Sequence, residues 1–410
     1  MDRNEMKIKK DLFRKTRTLK GNSQNRGITL IALVITIIII VILAAVAINI
    51  AIGNNGLIGK SKLAKDEYIN AAENEKKDVK VLTNDIEVAT GTRQPQEEKN
   101  ILKDIVYAIT SAADLEAFRD KVNAGDTFNN KTIMLTEDID ISSICAKGVW
   151  TPIGNDGNRF NGTFDGNGHK ITGFTVDGTK TKIGFFGDNE GIIKDVIIDN
   201  CDIKTVANNN TYVGALVGVN RGTISRCGVT GKIYGEATTG KCFVGGIVGV
   251  NISGIINECY NKANIKLICY TNYGYCGGII GRSENGCIQK TYNRGMVEAY
   301  RGTGGTMNTQ AGGITGENTG IINYCYNAGD VKATNNLGSI NGCDYGFSNY
   351  VYWENKAPNK LGGYTPSNKV GTNASVTQAN LKAMSGVTLS EFFVLDTSNK
   401  NNGYPILRWE

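Results

Sequence analysis

The chain has 410 residues, 40% hydrophobic and 20% charged, with 51 Gly, 5 Pro and 10 Cys, which is room for two or three units or one long repeat domain. Its formal charge of +6 sits at one end: residues 1–27 hold nine of the 45 Lys/Arg and three of the 39 Asp/Glu, leaving 36 of each elsewhere. That balance gives no support to a nucleic-acid partner, and a single histidine (His169) with no CxxC pair argues against a Cys/His zinc site.

After this basic leader comes an apolar run, residues 28–52, in which only Thr29, Thr36 and Asn49 are polar. As a helix it would measure about 37 Å against a bilayer core of about 30 Å, so a membrane-spanning helix is predicted. It is too long for the apolar core of an ordinary secretion signal. The basic flank keeps the N-terminus cytoplasmic and places residue 53 onward outside the cell. Residues 53–88 open on a turn signal and continue as a polar helix from Ser61, and 89–100 have linker composition. A short amphipathic helix is predicted over 111–125, with Leu115, Phe118 and Val122 on one face and Gly125 as its stop. Residues 131–141 alternate as a strand does, and 101–150 together are expected to cap a repeat domain.

From 151 to 345 the sequence repeats. The stretches 183–196, 213–227, 244–259, 276–291 and 311–325 align, with start-to-start distances of 30, 31, 32 and 35 residues. Each has a small-residue strand ending in Gly, a turn and a second alternating strand; "YNKANI", "YNRGMV" and "YNAGDV" come directly after three of them. Such a unit cannot bury its inner face alone, whereas stacked coils bury it continuously. The expectation is a mainly β protein, a right-handed parallel β-solenoid ending in a cap over 346–410; a sandwich or propeller of short strands is the alternative. Cys227, Cys259 and Cys325 share one repeat position with Val196 and Thr291, which predicts a small inward side chain. Buried thiols are the simpler reading, although adjacent coils lie close enough for a Cys227–Cys259 disulfide.

Tyr260, Tyr292 and Tyr326 also share a position, each followed by Asn (Asn261, Asn293, Asn327). A strand period of two points them out of the coil. They form either an exposed ladder that contacts a ligand or a ladder packed beneath another segment, with Asn satisfying the turn. His169 beside Asp165 has the composition of an acid/base pair, and Asp165 with Asn167 that of calcium ligands, yet "DGNG" is itself tight-turn chemistry.

Two resemblances rest on these residues. "RGITLIALVITIIIIVILAAVAI" (26–48) resembles the class III-type cleavage site and N-terminal helix of type IV pilin-like proteins of Gram-positive bacteria, over roughly residues 20–88. The resemblance implies cleavage by a prepilin peptidase between Gly27 and Ile28, retention of the apolar helix, and other pilin-like subunits as partners. Where pilins carry a Glu that docks a neighbouring subunit, this chain has Ala32, which removes that contact. "WTPIGNDGNRFNGTFDGNGHKITGFTVDG" (150–178), the Gly-bounded repeats and the closing "NNGYPILRWE" (401–410) resemble GLUG-motif repeat proteins of bacterial surfaces, several of them adhesin-like, over about 101–410. That implies a solenoid at the cell surface and leaves activity open.

Three functions fit these features. The first is a membrane-anchored surface protein that binds an extracellular glycan or a host or matrix protein. The second is a pseudopilin-like structural subunit of a pilus or secretion machine. The third is a glycan-active β-helix enzyme, which needs clustered carboxylates; Asp188, Glu190, Glu258, Glu284 and Glu317 are scattered over turn positions instead. No catalytic residue, metal or cofactor is therefore expected.

Overall fold

The structure, a computed structural model, describes residues 105–410 except 147–149, 271, 306–307 and 365–371. The leader, the Gly27–Ile28 site, Ala32, the apolar run 28–52 and the polar helix lie outside the described residues. Among the described residues no helix is long and apolar enough to cross a membrane.

The chain winds into coils that feed four sheets of nine, thirteen, six and seven strands. In one coil, Thr211–Gly214 joins the six-stranded sheet, Val217–Asn220 the seven-stranded, Thr223–Ser225 the nine-stranded and Gly228–Ala237 the thirteen-stranded. One coil later the same places are taken by Cys242–Gly245, Val248–Ile252, Ile255–Asn257 and Tyr260–Asn261, with register Val213↔Val244, Val217↔Val248, Ile224↔Ile256 and Gly228↔Tyr260. Six coils supply all four sheets, and Gly362–Tyr364 and Ala374–Val376 extend two sheets further. Every ladder in these sheets is parallel. The fold is thus a parallel β-solenoid, and the sandwich and propeller alternatives fall away because both are built from antiparallel neighbours.

Two local expectations change. Stretches such as 213–220 are not one strand ending in Gly but two strands in different sheets, joined by the buried corner Ala215–Leu216. The sheets approach so closely there that a Cβ on Gly249 would lie 2.7 Å from the Val213 amide nitrogen, so glycine is required by contact, not by turn geometry. The predicted helix forms as Ala112–Asn123, capped by Ser111 and burying Leu115, Phe118 and Val122. It does not precede the first strand, because Ile105–Ile109 already pairs with Thr132–Leu135 at the edge of the nine-stranded sheet.

The inward position read from the repeat is fully buried in every coil: Val196, Cys227, Cys259, Thr291, Cys325 and Val351. The thiols of Cys227, Cys259 and Cys325 each donate to the carbonyl two residues earlier, all at 3.2 Å. No disulfide joins them. Just before this row the chain turns through left-handed backbone at Asp195, Arg226, Glu258, Lys290, Tyr324 and Tyr350, with φ of 48–56°. Such a conformation costs a non-glycine residue about 1–2 kcal/mol. Pairing between coils offsets part of it: Arg226 grips Asp195 through two bonds of 2.5 and 2.6 Å, and Lys290 lies 3.6 Å from Glu258.

Candidate ligand-binding face

Tyr260, Tyr292 and Tyr326 stand in register and point out of the coil, stacked with centroids 5.5 and 4.9 Å apart. They are nevertheless buried, Tyr292 and Tyr326 completely, because the chain's own C-terminal segment covers them. Trp409 stacks on Tyr260 at 5.7 Å, and Phe393 meets Tyr326 edge-on at 5.5 Å. The Tyr292 hydroxyl donates to the Glu410 carboxylate at 2.9 Å, and the Tyr326 hydroxyl donates to the Pro405 carbonyl. Burial and the neighbouring phenol and carboxylate push the Tyr292 pKa well up. The reading of these three as an exposed ligand-contact ladder is therefore corrected: their faces are used internally. The Asn after each is likewise structural. Asn261 donates to Asn293 at 2.8 Å and Asn293 to Asn327 at 2.9 Å, while each also bonds the backbone two residues on.

His169 does not join Asp165. Its Nδ1 lies 3.2 Å from Asp138 Oδ1, an oxygen that also accepts from the Lys170 amide at 2.9 Å; that amide bond leads in holding the Asp138 pKa down. Asp165 accepts from the Asn167 amide at 2.8 Å and pairs with Lys194 at 2.6 Å, and Asn167 adopts φ of 51°. Both residues serve the turn, and no group of three metal-ligating side chains occurs among the described residues.

Of the exposed aromatic side chains, Phe347 lies on the nine-stranded sheet, whereas Tyr273, Tyr345 and Tyr364 stand around a seam between the six- and seven-stranded sheets. Its first row runs Lys182, Tyr212, Phe243, Tyr275, Gln310, Asn336. The row beside it on the seven-stranded sheet runs Asp188, Val219, Val250, Arg282, Glu317, Cys343, Tyr364. The seam changes character along the axis. It begins with an ion pair, Lys182–Asp188 at 3.1 Å. Next come parallel rings: Tyr212–Phe243 and Phe243–Tyr275, at 5.3 and 5.2 Å, packed with Val250 and Ile252. Each such ring pair contributes about 0.5–1.5 kcal/mol beyond its burial.

Beyond the rings the seam becomes polar, with Gln310, Glu317 and Cys343 still buried, and it opens to solvent only at its last tyrosines. Arg282 bridges Glu284 at 2.5 Å and Glu317 at 2.7 Å. Burial opposes its charge, but the two carboxylates raise its pKa overall. Asn336 donates to the Cys343 sulfur at 3.5 Å, and burial pushes that thiol up to about 11. Tyr273, Tyr345 and Tyr364 are 37, 45 and 51% exposed, with Tyr345 and Tyr364 5.8 Å apart and tilted by 53°. One cation, two carboxylates and three exposed phenols thus share one flank. Such a surface suits a ligand with both apolar faces and hydrogen-bonding edges. The signal was present in the sequence, since an aromatic stands two residues before Gly in "TYVG", "CFVG" and "GYCG", one place outside the aligned segments.

No family model matches the chain. Two curated proteins share parts of it. A protein named provisionally as a Gly-rich membrane protein, from Evansella cellulosilytica, is 36% identical over 132 residues, 31% of this chain. Halomucin, from Haloquadratum walsbyi, is 30% identical over 172 residues, 38% of this chain. The chain spans 15% of the length of the first and 2% of the second. Among solved structures, a Bacteroides ovatus protein provisionally described as an immunoglobulin A1 protease superposes with a TM-score of 0.54 at 20% identity, over 74% of this chain and 92% of that one. At that identity the likeness concerns the fold.

Proposed function

We propose that this chain is a cell-surface protein, held in the membrane by a pilin-like N-terminal helix, whose β-solenoid mediates adhesion or ligand binding through the open end of the seam. The observation that carries the proposal is the placement of Tyr273, Tyr345 and Tyr364 in solvent beside the Arg282–Glu284–Glu317 cluster, on a fold that otherwise covers its aromatic rows. The name of one relative, a membrane protein, supports the setting, as does the apolar run at 28–52.

The test has two arms. Fractionated cells are expected to hold the protein in the membrane with a mature N-terminus at Ile28; a chain starting after residue 50 would rule out pilin-type processing. The full chain is then applied to an array of glycans and matrix proteins. A ligand bound by the wild type should lose about tenfold in affinity, near 1.4 kcal/mol, in Tyr345→Ala/Tyr364→Ala. Equal capture by the double variant removes this face from the function, and capture of nothing removes the adhesive reading.

A further inference from the structure

A second site lies near the N-terminal end of the solenoid, in an open cavity of about 380 Å³ lined by Thr151, Asn155, Asp156, Thr179, Lys180 and Lys182, among others. The cations around it are matched almost one for one. Lys182 pairs with Asp156 and Asp188, Arg221 with Asp188, Arg159 with Glu190 at 2.6 Å, and Arg119 with Glu116 and Asp120 at 3.0 and 2.8 Å. Lys180 is the exception, with no carboxylate within ion-pair distance among the described residues. Its ammonium donates only to neutral oxygens, the Trp150 carbonyl at 3.2 Å and the Thr151 hydroxyl at 3.3 Å. An ammonium carries three N–H donors, so one remains for a ligand.

The lysine is also held in place. The buried Thr205 hydroxyl donates to its carbonyl at 2.9 Å. Trp150, whose backbone takes the ammonium, is stacked on Phe185 at 5.2 Å and donates through its indole to the Phe185 carbonyl at 3.2 Å. Arg119 lies over the same ring at 5.1 Å. Burial, and then the Arg119 charge, lower the Lys180 pKa, which is what an uncompensated cation beside a second cation undergoes.

We infer that this cavity binds the anionic group of a small ligand, a carboxylate or an oxyanion such as phosphate or sulfate, with Lys180 as its charge partner and the threonine hydroxyls beside it as further donors. The cavity is large enough for a group of monosaccharide size. It is built from the first coil and the loops before it, so it is separate from the seam's open end and stands whether or not that face binds anything.

Protection of Lys180 from acylation tests this. The full chain is treated with an acetylating reagent alone and with about 10 mM phosphate, sulfate, galacturonate or neutral galactose, a level suited to millimolar affinity. Modification is read residue by residue by mass spectrometry, with solvent-exposed Lys204 as the internal reference. At least one anion should slow Lys180 acetylation about threefold or more while Lys204 is unaffected. Protection by galacturonate alone identifies a carboxylate ligand, and protection by phosphate or sulfate an oxyanion; either supports the site. Calorimetric binding of the protecting anion should vanish in Lys180→Gln. Equal protection by galactose, or protection by none of the anions, overturns the inference in the unmutated protein, independently of how the variant folds.

Discussion

Tyr260, Tyr292 and Tyr326 on the thirteen-stranded sheet and Tyr212, Phe243 and Tyr275 on the six-stranded sheet are both outward-pointing stacks at coil spacing, 4.9–5.5 and 5.2–5.3 Å. The first is closed by residues from Phe393 to Glu410, which supply a ring, an indole, a carbonyl and a carboxylate to it. The second is closed only by its neighbours in the seam and gives way at one end to exposed tyrosines. The strand period distinguishes the inside of a coil from its outside. It carries no information about whether a distant part of the chain will return to cover that outside. A recurring outward aromatic is therefore a docking strip for the chain's own tail in one row and part of a self-contained stack in the other.

The sharpest way to break the comparison is to remove one ring from the covered row. Tyr326→Ala deletes a fully buried phenol along with its stacking on Tyr292, its edge contact with Phe393 and its bond to Pro405. A loss of about 3–5 kcal/mol is expected in urea denaturation of the full chain. Amide exchange should rise most over 378–410. A cost below about 1 kcal/mol would mean that the tail rests on this row without being held by it.

Much of this arrangement is legible in the sequence. The repeat spacing gave the solenoid, and Val196, Cys227, Cys259, Thr291 and Cys325 gave its inward row, because a side chain's inside or outside position depends on local periodicity. The corner at Ala215–Leu216 escaped because a two-residue turn between small residues leaves the hydrophobic pattern unbroken. The cover over Tyr292 escaped for a different reason: its partner Glu410 is 118 residues away, and no periodicity spans that distance. The same limit hid the seam, whose two rows belong to different sheets, and the Lys180 cavity, where the informative feature is a carboxylate that the neighbouring cations have and this one lacks.

An intermediate effect should appear in alkali. Burial raises Cys201 from an ordinary 9.0 to about 12 and Cys343 to about 11. The folded protein therefore keeps thiol protons that the unfolded chain releases above pH 9. Linkage fixes the sign: the stabilisation is complete below pH 9 and is lost as pH rises toward 11 and 12. Each unit of difference corresponds to about 1.4 kcal/mol at full effect, and buried Tyr292 shifts in the same direction. Urea midpoints measured from pH 8 to pH 11 should fall, and the fall should be shallower in Cys201→Ala. An identical slope in that variant would show that Cys201 does not govern the decline.

The smallest effect belongs to the open end of the seam. Tyr345 and Tyr364 are 45 and 51% exposed, so replacing either with Ala removes little buried surface. The stability change should stay within about 0.5 kcal/mol, the usual range for surface sites. That near-silence gives the comparison its content. If these rings are held for a partner, their loss should appear in ligand capture and barely in urea, whereas loss of Tyr326 should appear in urea first. A Tyr364→Ala cost of about 2 kcal/mol or more, on the scale of a fully buried side chain, would mean that this ring too belongs to the internal packing, and the seam would then lose its claim to be a free surface.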